Sequence, residues 1–435
     1  MLKRIHEEAL ERSPVYENLR QLTGTFPGRL AGSKSLEGAV GWAESLLREA
    51  GCDSVRLQPV TVPVWKRGSA EAFSVHFEQN GSPARADLAG LALGWSVATP
   101  ADGLRAEVVE VTSLEELEKL GRAAVAGKIV FFNRPMRQGF VAPGAAYRGA
   151  YDQRSRGPAL AAQLGAVGAL VRSLTLRVDD EPHTGNTSFP AEGPKIPAAA
   201  LSAVAADRLS ALLKSSPQAQ VEMHVHSEWA GTAPSFNVIG EIRGSEQPEE
   251  IILVGGHLDS WDVSPGAHDD GSGVVQAVEV IRLMKVLGLK PRHTLRCVLF
   301  TAEENSLAGG LEYARVAKEA EERHILALET DGGGFAPRGF ELGHTSMPAH
   351  EKAARWKSVF EPYGLYLFEK GTGGADVGPL MMQGAVVADL LPVSQWYFDY
   401  HHARTDTLDK VHPRELKLGA AALASLIYMV DTQGL

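Results

Sequence analysis

Three observations predict an α/β fold for this chain. After residue 234, short unbroken apolar runs alternate with segments whose apolar residues recur every three or four positions, which is the rhythm of strand and helix in turn. The strand-like runs, such as Ile251-Ile252-Leu253-Val254, are continuously apolar, as strands covered on both faces must be. Three successive runs also lead into acidic loops: "HLDSWDVSPGAHDDGSG" from 257, "AEEN" from 302 and "ETDGGG" from 329. Carboxylates therefore gather at the carboxyl edge of one sheet, where open α/β sheets place their ligands.

Taken in order, residues 35 to 50 read as a helix with Leu36, Val40, Ala43 and Leu47 on one face and Gly51 as its stop. The alternating "VRLQPVTVPVW" that follows is a strand, which Pro59 and Pro63 push to a sheet edge. Between 96 and 227 the texture changes. Strand-like "AEVVEV" and "GKIVFF" precede "PALAAQLGAVGALVRS", read as one helix, then "KIPAAALS" and a helix at "AADRLSALL". Because this stretch lacks metal-type clusters, residues 96–227 are expected to form an insert, with 1–95 and 228–435 making the main domain. There the strands are 251–254, "TLRCVLFTA" and "HILALE", and helices start near 272 and 306.

With 435 residues, of which 44% are hydrophobic, the chain has ample material for two cores. A net charge of −10, from 43 basic and 53 acidic residues without a long single-sign block, argues against nucleic-acid and membrane partners. Cys52 and Cys297 exclude a disulfide framework, and "LRCVLF" reads as a place for a buried thiol. No apolar segment follows the first basic residues, so the expected location is the cytoplasm.

The acidic loops hold the donor set of a dinuclear metal site. Such a pair of ions needs a bridging carboxylate with imidazole and carboxylate ligands on either side. His257, Asp269, Glu304, Asp331 and His402, the last from "DYHHARTDT" at 399–407, supply it from four segments. Mixed nitrogen and oxygen donors favour zinc, with cobalt or manganese as substitutes. A further carboxylate that is not a ligand must then serve as general base, and the adjacent glutamates of "AEEN" divide those roles. Among other groups, His268 reads as a loop residue, His183 as a structural hydrogen-bonder, Asp376 as a turn or pocket residue, and Trp261 and Trp396 as core.

Five motifs, "GHLDS", "DDGSG", "TAEEN", "ETDGG" and "HARTDT", resemble in kind and order those of the M28 family of zinc exopeptidases. "FPGRLAGSKSLEGAVGW" and "PHTGN…PKIPAAALS" extend the similarity to its carboxypeptidase Q branch. The resemblance implies a three-layer αβα zinc-exopeptidase fold with a mixed, mostly parallel sheet, an inserted protease-associated domain, a homodimer and short peptide substrates. It also implies two Zn2+ per chain, with His257 and Asp331 on one ion, Glu304 and His402 on the other, and Asp269 bridging. Glu303 becomes the general base and Asp259 the partner that orients His257, and the Asp269–Asp270 peptide is expected to be cis. Two other activities share the fold: a single-zinc acyltransferase of the glutaminyl-cyclase type and a non-catalytic binding protein of the transferrin-receptor type.

Overall fold

The computed structural model describes residues 1–68 and 70–435. It divides into two compact units, one of residues 1–63, 232–397 and 406–435, the other of 64–231 and 398–405. The second unit starts some thirty residues before the expected 96. The reason is strand pairing: Ala72–Gln79 lies antiparallel to both Ser82–Asp87 and Gln220–His224, inside the second unit's sheet. A short piece near the C-terminus, 398–405, also belongs to this unit, which no local pattern announces.

In the first unit eight strands form one mixed sheet in the order Ser54–Lys66, Glu228–Ile242, His293–Phe300, Gln247–His257, Arg323–Glu329, Val386–Pro392, Pro337–Gly343, Leu367–Lys370. Gln247–His257 runs parallel to both of its neighbours, and the proline-bearing Ser54–Lys66 lies at the edge. Side chains alternate across a strand. Ile252 and Val254 accordingly join one core with Leu36, Val40, Val278 and Leu423 from the helices Lys34–Ala50, Ser272–Val286 and Pro413–Gln433. Ile251 and Leu253 join another with Tyr313 and Ala317 of Ala308–Glu319. Helices on both faces make three layers and explain why the central strands are apolar throughout.

The second unit has its own eight-stranded sheet. The stretch read as one helix from 158 is helical over Gly157–Gln163 and a strand over Gly168–Arg172, paired in parallel with Ile129–Phe132 and Ala198–Leu201. Gly165, at φ +85°, turns the chain between them. Alanine-rich composition suggested a helix, but burial on both faces of a sheet suits "GALVR" equally well. No helix among the described residues is long and apolar enough to cross a membrane.

Candidate metal centre

Parallel register brings the acidic loops together. His257 pairs with Phe300, and Gly255 with Glu329, so the turn carrying Glu303 and Glu304 and the loop carrying Asp331 leave the sheet beside His257. That histidine is wholly buried, and its Nδ1 lies 3.1 Å from the carbonyl of Asp259. With Nδ1 engaged there, the ring turns Nε2 to the site, where it sits 3.2 Å from Asp269 Oδ1 and 3.4 Å from Asp331 Oδ1. His257, Asp269 and Asp331 each offer a ligand atom within 4.8 Å of the others.

The loops are held by carboxylates that cap backbone N–H groups. Asp270 accepts from the N–H of His257 at 3.0 Å and of Gly273 at 2.9 Å, and the Asp269–Asp270 peptide is cis. Asp406 accepts from His268 at 2.7 Å and Asp269 at 3.1 Å. Asp259 accepts from Glu303 at 3.0 Å and Glu304 at 3.1 Å. Its carboxylate, 3.7 Å from His257 Nδ1, thus caps the turn of the two glutamates, while its main-chain oxygen orients the histidine. Of the two groups of Asp259, the carbonyl lies nearer the His257 ring than the carboxylate does. Before this turn Ala302 adopts φ +59°, and after it Leu307 adopts φ +58°. These two left-handed residues bound the single turn Glu303–Ser306, and sequence alone gives no sign of them.

Electrostatically the site calls for a cation. Burial raises the pKa values of Asp270, Glu303, Glu304 and Asp331 above the usual carboxylate range, and neighbouring carboxylates raise them further. Glu329 and Asp406 are pushed up to about 7, chiefly by burial. Burial alone would lower His257, but Asp331 and Asp269 outweigh it and raise it well above an ordinary histidine. His257 Nε2 and Asp331 Oδ1 are both buried atoms, 3.4 Å apart. A buried imidazole and carboxylates converging in this way fit a divalent ion, which would take the place of the imidazole proton.

Arg29, from "FPGRLAGS", is fully buried in the same unit and was not predicted as a site residue. It donates to the carbonyls of Leu258 at 2.7 Å, Pro265 at 2.6 Å, Phe26 at 3.2 Å and Gly266 at 3.2 Å. Burial lowers its pKa to about 10, partly offset by Asp259 and Asp406. A cation inside a Gly- and Pro-rich turn was the available signal. His268 stacks on Phe335 at 4.2 Å and accepts from Gly334 N–H at 3.1 Å, a structural placement. Trp261 is buried, in keeping with its core reading, whereas Trp396 is exposed, against it.

His402 belongs to the piece that groups with the second unit. There it adopts φ +62°, stacks on His401 at 3.5 Å, and its Nδ1 lies 3.3 Å from the carbonyl of Thr184. His183 Nδ1 lies 2.7 Å from the carbonyl of His401, and Arg404 pairs with Glu181 at 3.6 Å.

Residues 237–427 match peptidase family M28. The chain is 35% identical to carboxypeptidase Q of Bos taurus over 98% of its own length and 86% of that protein's. It is 36% identical to the peptidase M28 precursor of Shewanella amazonensis SB2B, whose crystal structure superposes with a TM-score of 0.93 over 100% of this chain and 96% of that one. BSAP, a zinc aminopeptidase from Bacillus subtilis, shares the fold at 20% identity, with a TM-score of 0.66 over 95% of this chain and 94% of that one. Similarity of this extent, joined to the strand-end acids and the buried histidine, shows that the chain belongs to peptidase family M28.

Proposed function

We propose that the protein is a zinc-dependent exopeptidase acting on dipeptides or other short peptides. The observation that carries this reading is the convergence of His257 Nε2, Asp269 and Asp331 beside the Glu303–Glu304 turn. The name of the bovine relative, a carboxypeptidase, supports the same class of reaction. His257, Asp269, Glu304 and Asp331 are the residues of the first unit that would hold metal. On sequence resemblance alone, His402 would be a further ligand, and two ions would be held. Bound zinc supplies Lewis acidity, polarising the scissile carbonyl and making water acidic at neutral pH.

The chain's own groups do the rest. Glu303 accepts the proton of the attacking water and returns it to the leaving amine, as a non-ligand carboxylate next to a ligand can. The two hydrogen bonds from its turn to Asp259 keep the carboxylate aimed. Asp270, through the N–H of His257, and Asp406, through the N–H of Asp269, hold two of the ligands in place. The insert, 64–231 with 398–405, is proposed to be protease-associated in type.

Metal analysis of active protein together with a dipeptide library, with free and blocked termini, tests this reading. About two zinc ions per chain and chelator-sensitive cleavage of free-ended dipeptides are expected. A single ion with cyclisation of N-terminal glutamine would favour the acyltransferase instead, and no metal at all would favour a binding protein.

A further inference from the structure

Asp376 has no part in the mechanism above, yet it is 0% exposed. An apolar side chain would fill its place without desolvating a charge, so stability is a poor reason for an acid there. Its contacts supply a better one. Asp376 Oδ1 accepts the N–H of Gly310 at 3.0 Å, in the first turn of Ala308–Glu319, the helix that directly follows the Glu303–Ser306 turn. The N–H groups of Asp376 and Val377 both donate to Glu329 Oε2 at 3.0 Å. Glu329 ends its strand two residues before Asp331.

Close packing shows that these links are built in. A Cβ on Gly310 would lie 2.5 Å from Asp376 Oδ1, and one on Gly374 would lie 2.2 Å from Glu329 Cδ. Both approaches therefore require glycine. The loop around Asp376 thus joins the helix that follows the Glu303–Ser306 turn to the strand end two residues before Asp331, across the intervening strand Gln247–His257.

We propose that Asp376 is a positioning residue, a clasp that fixes the Glu303–Glu304 turn relative to Asp331 and so sets how tightly zinc is held. The inference rests on the proposed metal-dependent function and deepens it. Its test compares Asp376→Ala, Asp376→Asn and Gly310→Ala with the parent protein, reading zinc affinity by competition with a chromophoric chelator, kcat and KM on a dipeptide, and Tm. Leu380→Ala, a buried apolar truncation in the neighbouring core, controls for lost stability alone.

Asp376→Ala should weaken zinc binding by about 10- to 100-fold and lower kcat by a similar factor, the usual cost of removing a group that orients ligands. Asp376→Asn, which keeps an oxygen for Gly310, should recover most of both. Gly310→Ala should reproduce the loss from the opposite side of the contact, and Leu380→Ala should lower Tm with zinc affinity unchanged. The clasp is overturned if Asp376→Ala binds zinc like the parent, or if Asn is no better than Ala. Should Asp376→Ala fail to fold, Gly310→Ala and Asp376→Asn decide: parental zinc affinity in Gly310→Ala, or severe loss in Asp376→Asn, overturns it. A parent protein that binds no zinc and cleaves no dipeptide would overturn the proposed function itself, a result distinct from either of these.

Discussion

Two groups of buried charges in the first unit follow opposite rules. Along the strand His293–Phe300, Arg296 donates to Glu241 at 2.6 Å, to Glu322 at 2.6 and 2.9 Å and to the hydroxyl of Tyr313 at 2.7 Å. Burial would raise both glutamates, but Arg296 outweighs it and holds each below its ordinary pKa. Beyond the end of the same strand, Glu303 and Glu304 are raised by burial, and by the other carboxylates they face. Acids with a fixed guanidinium are satisfied by the protein itself. Acids without one are arranged for a cation that the chain does not supply.

The strongest way to break this comparison is to remove metal. Chelation should abolish peptidase activity, and added zinc should restore it, with metal content and turnover measured together. Activity that survives exhaustive chelation would mean the raised acids have another purpose.

Next in size is the division of labour inside "AEEN". Glu303→Gln keeps the shape but cannot take a proton, so kcat should fall about 10²- to 10⁴-fold with zinc retained. Glu304→Ala should lose zinc as well. If Glu303→Gln loses its metal too, the two roles are wrongly assigned.

Arg296→Leu attacks the other group. Leaving Glu322 without its guanidinium, and Glu241 with Arg56 alone, should cost about 3–5 kcal/mol of stability, read from denaturant unfolding, while zinc content per folded chain stays unchanged. An equal loss of zinc would erase the distinction between the two groups.

The smallest effect is a slope in pH. His324, beside Arg296, and His183 in the second unit are lowered to about 4, chiefly by burial. Their unfolded values lie near 6.5. Neutral histidine is therefore the folded form, the stability it contributes is complete above about pH 6.5, and it is lost as pH falls from there towards 4. His324→Gln should flatten that part of the stability profile of apoprotein, in which zinc does not contribute. An unchanged slope would show that burial of this ring has no such consequence.

How much could be read in advance differs by residue. Lys34–Ala50 begins and ends, and Ser272–Val286 begins, within a residue or two of what the apolar spacing predicts, because a helix facing one core writes its period into the chain. His257 and Asp331 could be singled out because they sit at or just beyond strand ends that register brings side by side, and Asp269 because its acidic, glycine-rich loop leads from the same strand end into a helix. Arg29 offered only the weak signal of a cation in a Gly- and Pro-rich turn, since its partners are backbone carbonyls, which have no side-chain signature. Gly168–Arg172 was misread because a buried strand and a buried helix have the same composition when both are short.

The sequence by itself determined the α/β class, the central strands and the acids at their ends, since these follow from hydrophobic period and residue chemistry, which are local. Tertiary structure decided which N–H groups Asp259, Asp270 and Asp406 cap, that Asp376 clasps Gly310 and Glu329, and that residues 398–405 group with the 64–231 unit. Those outcomes depend on backbone groups meeting across tens to hundreds of residues. Every residue but proline offers the same N–H and every residue the same C=O, so nothing in the side-chain alphabet can announce which of them will meet.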